Sequence, residues 1–294
     1  IKNNILKIFF YYCILSFSIF VLFNISGIRL FNSLNISMTL ISGGGFLPTN
    51  TLSSIIMTNL QKIIFIISLL TSMLNFYIIF NIFNKKVLTR EHKEDLYLLF
   101  LSMILIVLIC FNNNSNFDLI IGVVSSLSNS GLTLIKSGNL SLYFLFITII
   151  GGSLISNTSG IKLARFYILL KIASSEILRL ISPNSVINKT IFNSDRKITD
   201  DNVKISFLIF ISFFLSLFIL SSFLVLDHIG FEKSFKLSIL TLTNTVNSEL
   251  FNMENLNFGN LLTSSKISLI IFMIIGRIEL ISIFLIFKKL LFRD

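Results

Sequence analysis

The chain has 294 residues, of which 54% are hydrophobic and only 13% charged, with a mean hydropathy of +0.88. That balance excludes an ordinary soluble core, because water cannot be the only solvent of such a sequence. The net charge of +10 does not point to nucleic acid, since the basic residues are interleaved with long apolar runs, as at the cytoplasmic flanks of membrane helices.

A bilayer core of about 30 Å takes roughly 20 mostly apolar residues per helix. Six runs of about that length follow in chain order: residues 5–24, 63–84, 96–111, 140–170 with an interruption, 205–226 and 267–291. The first is too long for a signal-peptide core and lacks a small-residue cleavage site. The chain begins at Ile1, so it is expected to be the remainder of something longer. Cys13 and Cys110 each lie inside an apolar run, far from a second cysteine or histidine, which offers neither a disulfide framework nor a metal knuckle.

The basic residues give an orientation. With the N-terminus in the cytoplasm, that side collects Lys2, Lys7, Lys85, Lys86, Arg90, Lys93, the eight from Lys162 to Lys204, Lys288, Lys289 and Arg293, seventeen in all. Six fall outside (Arg29, Lys62, Lys136, Lys233, Lys236 and Lys266), and Arg277 lies within the last run. The excess places both termini in the cytoplasm.

The three outside connections are too long and too apolar for simple turns, and they share one plan. Residues 30–40 run into Ser42-Gly43-Gly44-Gly45-Phe46, residues 117–127 into Ser128-Asn129-Ser130-Gly131-Leu132, and residues 235–242 into Thr243-Asn244-Thr245-Val246-Asn247. The unit is helix, half-helix, small-residue loop, helix, three times over. Irregular backbone at membrane depth is tolerated only where it is buried in protein or lines a watery cavity, so these units predict a pore wall. Loops of Gly, Ser, Thr and Asn can turn carbonyls toward a dehydrated cation, and a half-helix aimed C-terminal end first adds negative partial charge there. Taken singly, Gly43-Gly44-Gly45 is more often a turn; recurrence favours a filter.

The fourth run is broken by Gly151-Gly152-Ser153-Leu154-Ile155-Ser156-Asn157-Thr158-Ser159-Gly160-Ile161-Lys162. One reading is a packing kink; the sharper one is an unwound loop beneath the pore. In the last run Gly276-Arg277-Ile278-Glu279 sets a cation and a carboxylate in apolar sequence, a functional candidate expected to face the bundle interior. Catalysis is not expected: His92 belongs to a charged cytoplasmic stretch, His228 to a helix end, and neither is placed beside a buried nucleophile or a pair of carboxylates. Residues 171–181 suit an interfacial helix on which a cytoplasmic regulator could dock.

These motifs, in this order, resemble the Trk/Ktr/HKT superfamily of potassium transporters, and within it the bacterial TrkH-type membrane subunits. The likeness rests on the Gly-Gly-Phe loop, the broken Gly-Gly to Ser-Gly-Ile-Lys helix, the Leu180-Ile181-Ser182-Pro183-Asn184 segment, Leu242-Thr243-Asn244 and the closing Gly276-Arg277-Ile278-Glu279. It implies an all-α polytopic inner-membrane protein, potassium as transported substrate without any other cofactor, homodimers, and a cytoplasmic nucleotide-binding regulator of TrkA type. By motif, Gly44 and Gly131 would be the potassium-binding filter glycines, with Gly43, Gly45, Ser130, Asn244, Thr245 and Val246 completing the filter loops. Ile155, Ser156, Asn157, Thr158, Ser159 and Gly160 would form the gate, with Lys162 and Arg277 beside it.

The expected divisions are 1–90, 91–175 and 205–294 for three pore repeats, with 176–204 as a cytoplasmic connector. The sequence departs from the family pattern in having three repeats, the first being expected to be absent. It also has Val246 where the family has glycine, and Ile155, Thr158 and Ser159 where the family runs to small residues and glycine. Two functions remain open on this reading: potassium uptake through a carbonyl-lined pore, or a non-conducting remnant or assembly subunit of such a transporter.

Overall fold

The computed structural model describes residues 2–49, 51–75, 77–78, 92–112, 117–134, 140–182, 190–193, 197–245, 249–251, 253, 258–278 and 289. Among them are ten α-helices and no β-strand: α1 (Lys2–Ile25), α2 (Leu30–Ser42), α3 (Asn59–Met73), α4 (Lys93–Asn112), α5 (Phe117–Leu127), α6 (Ser141–Ile150), α7 (Leu163–Ile181), α8 (Asp200–Leu226), α9 (Phe231–Leu242) and α10 (Thr263–Ile278). The all-helical class expected from the sequence holds.

The helices sort into three units. In each, a short middle helix packs against the two that flank it: α2 on α1 and α3, α5 on α4 and α6, and α9 on α8 and α10. The units join through α3 on α5 and α6 on α9. Among the described helices, α4 and α8 are long and apolar enough to cross a bilayer.

The first and third units turn in the same way. Gly27 (φ 89°) and His228 (φ 62°) take left-handed backbone, and the residues after them, Ile28 and Ile229, donate five positions back to Phe23 O (3.2 Å) and Leu224 O (3.3 Å). The middle helices carry serines on their packed faces: Ser33 and Ser37 on α2, Ser234 and Ser238 on α9. Each hydroxyl donates to a carbonyl one turn back, so these residues allow close helix approach without leaving an unmet hydroxyl. A capping box starts α3, where the Thr58 side chain accepts from the Gln61 N–H; Gln61 Nε2 also donates to Ser26 O at 3.1 Å, pinning α3 to the turn after α1.

Several expectations are corrected. The second apolar run was expected as one helix over 63–84, but α3 stops at Met73: Leu74 is extended (ψ 165°), and the Asn75 N–H goes to Asp95 Oδ1 at 2.9 Å. The Met73 carbonyl is thereby free to accept from Ser153 N–H at 3.0 Å. The third half-helix starts at Phe231, not 235, because Glu232 and Lys236 pair one turn apart at 2.6 Å, making a charged opening turn helical. The 175/176 boundary falls inside α7 and the 204/205 boundary inside α8, while 90/91 lies outside the described residues. His92 is buried beside Asp95 (3.1 Å), not solvated in a loop. In the connector, residues 183–189 lie outside the described residues; Phe192 stacks on Tyr167 with ring centroids 4.3 Å apart, tying that stretch to α7.

Gly276 is where α10 meets α9: a Cβ there would overlap the Leu242 carbonyl oxygen. Gly276→Ala is therefore expected to force these helices apart at a cost of about 2 kcal/mol. Thermal unfolding of the purified protein checks it, and an unchanged melting temperature would contradict the packing described.

Candidate functional site

Each middle helix ends in the same hydrogen-bonded cap. Gly43, Asn129 and Asn244 adopt left-handed backbone (φ 61°, 56° and 53°). Their N–H groups donate to Leu40 O (3.3 Å), Ser126 O (3.3 Å) and Thr241 O (3.1 Å). The following residues, Gly44, Ser130 and Thr245, donate five positions back to Thr39 O (3.0 Å), Ser125 O (3.1 Å) and Leu240 O (2.9 Å). This pair of bonds is the Schellman cap, which meets carbonyls that the helix end would otherwise orphan.

The cap sets the register of the loops. Gly44 matches Ser130 and Thr245, while Gly45 (φ 70°) matches Gly131 (φ 69°) and, by position, Val246. The expected pairing of Gly44 with Gly131 is thus shifted by one: Gly45 is the counterpart of Gly131. Val246 lies outside the described residues.

Two asparagines cross-link the units at this level. Asn129 Nδ2 donates to Thr148 O of α6 (3.1 Å) and to Thr243 O at the end of α9 (3.2 Å). Asn244 Nδ2 donates to Met273 O of α10 (3.1 Å) and to Ser159 Oγ (3.3 Å). The first unit has Gly43 at this place, and its carbonyls are met from elsewhere: Asn157 Nδ2 donates to Ile41 O at 2.8 Å, and the Arg277 guanidinium donates to Ser42 O. A Cβ on Gly43 would stand 3.5 Å from both Arg277 Nη1 and Asn157 O and 3.9 Å from Ser128 O. Gly43 is therefore the point at which two loops, the α6–α7 segment and α10 meet.

The α6–α7 segment is an unwound loop, as expected. Gly151 (φ 70°) and Gly160 (φ 84°) fold it back on itself, and Ile161 N–H returns to Ile149 O at 3.0 Å. A Cβ on Gly152 would lie 2.7 Å from Met73 O, and one on Gly160 2.9 Å from Ile149 O, so neither position has room for a side chain. Glu94 Oε1 accepts from Leu154 N–H (2.8 Å) at the tip. Ser156 to Gly160, with Lys162 and Arg277, border a cavity of about 110 Å³. Ile155 does not: it borders a separate cavity of about 720 Å³ beside Glu94 and Arg165. Thr245 borders neither and instead lines an apolar cleft of about 450 Å³ between Phe46 and helices α9 and α10.

Arg277, expected to face the bundle interior, is exposed, although its guanidinium reaches Ser42 O of the first unit; Glu279 lies outside the described residues. Asn129 was missing from the site read from the sequence, although its alignment with Asn244 after a half-helix was the available signal. No cluster of His, Cys, Asp or Glu suited to a metal ion occurs among the described residues.

Half-helices capped alike and crossed by an unwound loop define an all-helical fold built from three similar units. No protein-family model matches the chain. It is 29% identical, over a 302-residue alignment, to a protein of Methanocaldococcus jannaschii named as an uncharacterized cation transporter; the alignment covers 99% of this chain and 60% of that protein. Its fold matches the crystal structure of the potassium transporter TrkH from Vibrio parahaemolyticus with a TM-score of 0.87 and 21% identity, over 97% of this chain and 64% of that one. The chain thus has the Trk-type transporter fold and spans about three-fifths of the length of the curated relative it matches. Both similar proteins are named as transporters.

Asn129→Ala is expected to cost about 3 kcal/mol, by loss of two buried carbonyl contacts and by placing alanine in left-handed backbone. Asn129→Gly should cost about 1 kcal/mol less, since glycine accepts that backbone. Denaturation of both variants checks the pair, and equal losses would contradict the left-handed cap.

Proposed function

We propose that the chain forms most of the wall of a potassium-conducting pathway across the bacterial inner membrane. The observation that carries this reading is the common cap: three half-helices end in one register, the first two loops meet the α6–α7 segment and Arg277 around Gly43, and the third is tied to them through Asn129 and Ser159. Helix C-terminal ends brought together in apolar surroundings favour a cation, and small-residue loops supply backbone oxygens in place of water. The similar proteins are named as a cation transporter and a potassium transporter, which supports the same substrate class.

In this proposal residues 43–45, 130–131 and 244–246 are the filter. Residues 155–160 with Lys162 and Arg277 are the gate. The units 1–90, 91–175 and 205–294 act as pore repeats, joined by the connector 176–204. A fourth unit closes the ring at the apolar cleft beside Phe46, since irregular backbone at that depth requires cover by protein. Both termini are cytoplasmic, the protein works as a homodimer, and the cytoplasmic end of α7 receives a nucleotide-binding regulator of TrkA type.

A second reading has its own support. Arg277 donates to Ser42 O beside Gly43, and valine stands at the position of Gly45 and Gly131, where left-handed backbone resists a branched side chain. Both features fit a non-conducting remnant or assembly subunit. Potassium-dependent growth of an uptake-deficient host carrying only this chain would exclude it.

The direct test is rubidium uptake into liposomes holding the complete gene product. The transport reading predicts uptake above empty vesicles, competed by potassium; folded protein without uptake overturns it. Arg277→Ala should raise the rate about tenfold, the effect of lowering a barrier by about 1.4 kcal/mol. Gly131→Ala, which forces alanine to φ 69°, should reduce discrimination of potassium over sodium, whereas a mere turn would leave selectivity unchanged.

A further inference from the structure

The loop between α6 and α7 closes around the ammonium of its own last residue. Lys162 Nζ donates to Ser156 O at 3.1 Å, Ser156 Oγ at 3.3 Å, Thr158 Oγ1 at 3.1 Å and Thr158 O. The hydroxyls of Ser156 and Thr158 lie 2.7 Å apart, so they share one side of this cage. Lys162 is only 3% exposed. Its backbone is at φ 75° and ψ 136°, a conformation that side-chain-bearing residues rarely take and that persists only where the surroundings enforce it.

Two carbonyl and two hydroxyl oxygens around one buried monovalent charge form the donor set that replaces water around a dehydrated potassium or ammonium ion. We propose that residues 156–158 are a monovalent-cation site and that the Lys162 ammonium is its tethered occupant. A cavity of about 110 Å³, bordered by Ser156, Thr158, Lys162 and Arg277, adjoins the cage and gives a free ion a way in once the tether is withdrawn. Glu94 Oε1, which accepts from Leu154 N–H at 2.8 Å, anchors the loop two residues before the cage. That this site lies on an ion route rests on the transport reading above; its ability to hold a cation does not.

The purified full chain tests this by thermal unfolding in choline, sodium, potassium and rubidium chloride, with equilibrium binding of radioactive rubidium. In choline, Lys162→Ala is expected to melt about 5 °C below the wild type. Potassium or rubidium should restore it along a saturable curve, by more than either salt raises the melting temperature of the wild type. Rubidium binding should rise by one ion per chain. Lys162→Met fills the cage with an uncharged chain, so it should lose stability without recovery by salt and without added rubidium. A variant that folds only in potassium or rubidium supports the proposal; one that no salt recovers overturns it, as does a Lys162→Met protein as stable as the wild type. Rubidium flux without gained binding in Lys162→Ala would sink this site and leave the transport reading standing. Gained binding without flux would do the reverse.

Discussion

A helix that stops at membrane depth leaves its last carbonyls and the loop beyond it without water to bond. The architecture follows from how those groups are met. At the ends of α2, α5 and α9 the first answer is local: a left-handed residue turns the chain so that two N–H groups fold back onto the last turn. The second answer is long-range. Asn129 and Asn244 reach carbonyls of neighbouring helices, whereas Gly43 has no side chain to offer, and its surroundings are served by Asn157 and Arg277. The position lacking an amide is thus the one on which the other elements converge.

The same constraint accounts for the break at Met73. A continuous α3 would keep that carbonyl inside its own ladder; ending the helix there releases it to Ser153 and lets Asp95 take the Asn75 N–H. Glycines 151, 152 and 160 then allow backbone to pass where any Cβ would strike a carbonyl or a hydroxyl. Two positive side chains, Lys162 and Arg277, close this layer, both donating to loop oxygens. Under the transport proposal these cations would compete with one that passes.

Much of this was legible in the sequence because it is written in composition and spacing. Apolar runs mark the helices, and runs of Gly, Ser, Thr and Asn mark the loops, so the three units, the second half-helix and the broken fourth run could be read directly. Register was not legible at Gly43-Gly44-Gly45, because three identical residues carry no sign of which one takes the left-handed turn. The break after Met73 depends on Asp95, a partner of Asn75 twenty residues away that no local pattern announces, and the burial of His92 follows from its pairing with the same Asp95. The early start of α9 was hidden because only the apolar stretch from 235 was taken as helix, whereas Glu232 and Lys236 pair within its opening turn. The reach of Arg277 from the third unit to the first is a tertiary fact, and spacing along one helix cannot reveal it.

The central claim is that the three capped loops surround one cation route. Rubidium anomalous scattering from crystals of the complete protein tests it most directly. The account predicts a peak ringed by backbone oxygens of residues 43–45, 130–131 and 244–246, on the side of Gly43 away from the α6–α7 loop. Well-ordered loops with no rubidium between them, or a peak confined to the protein surface, would contradict it.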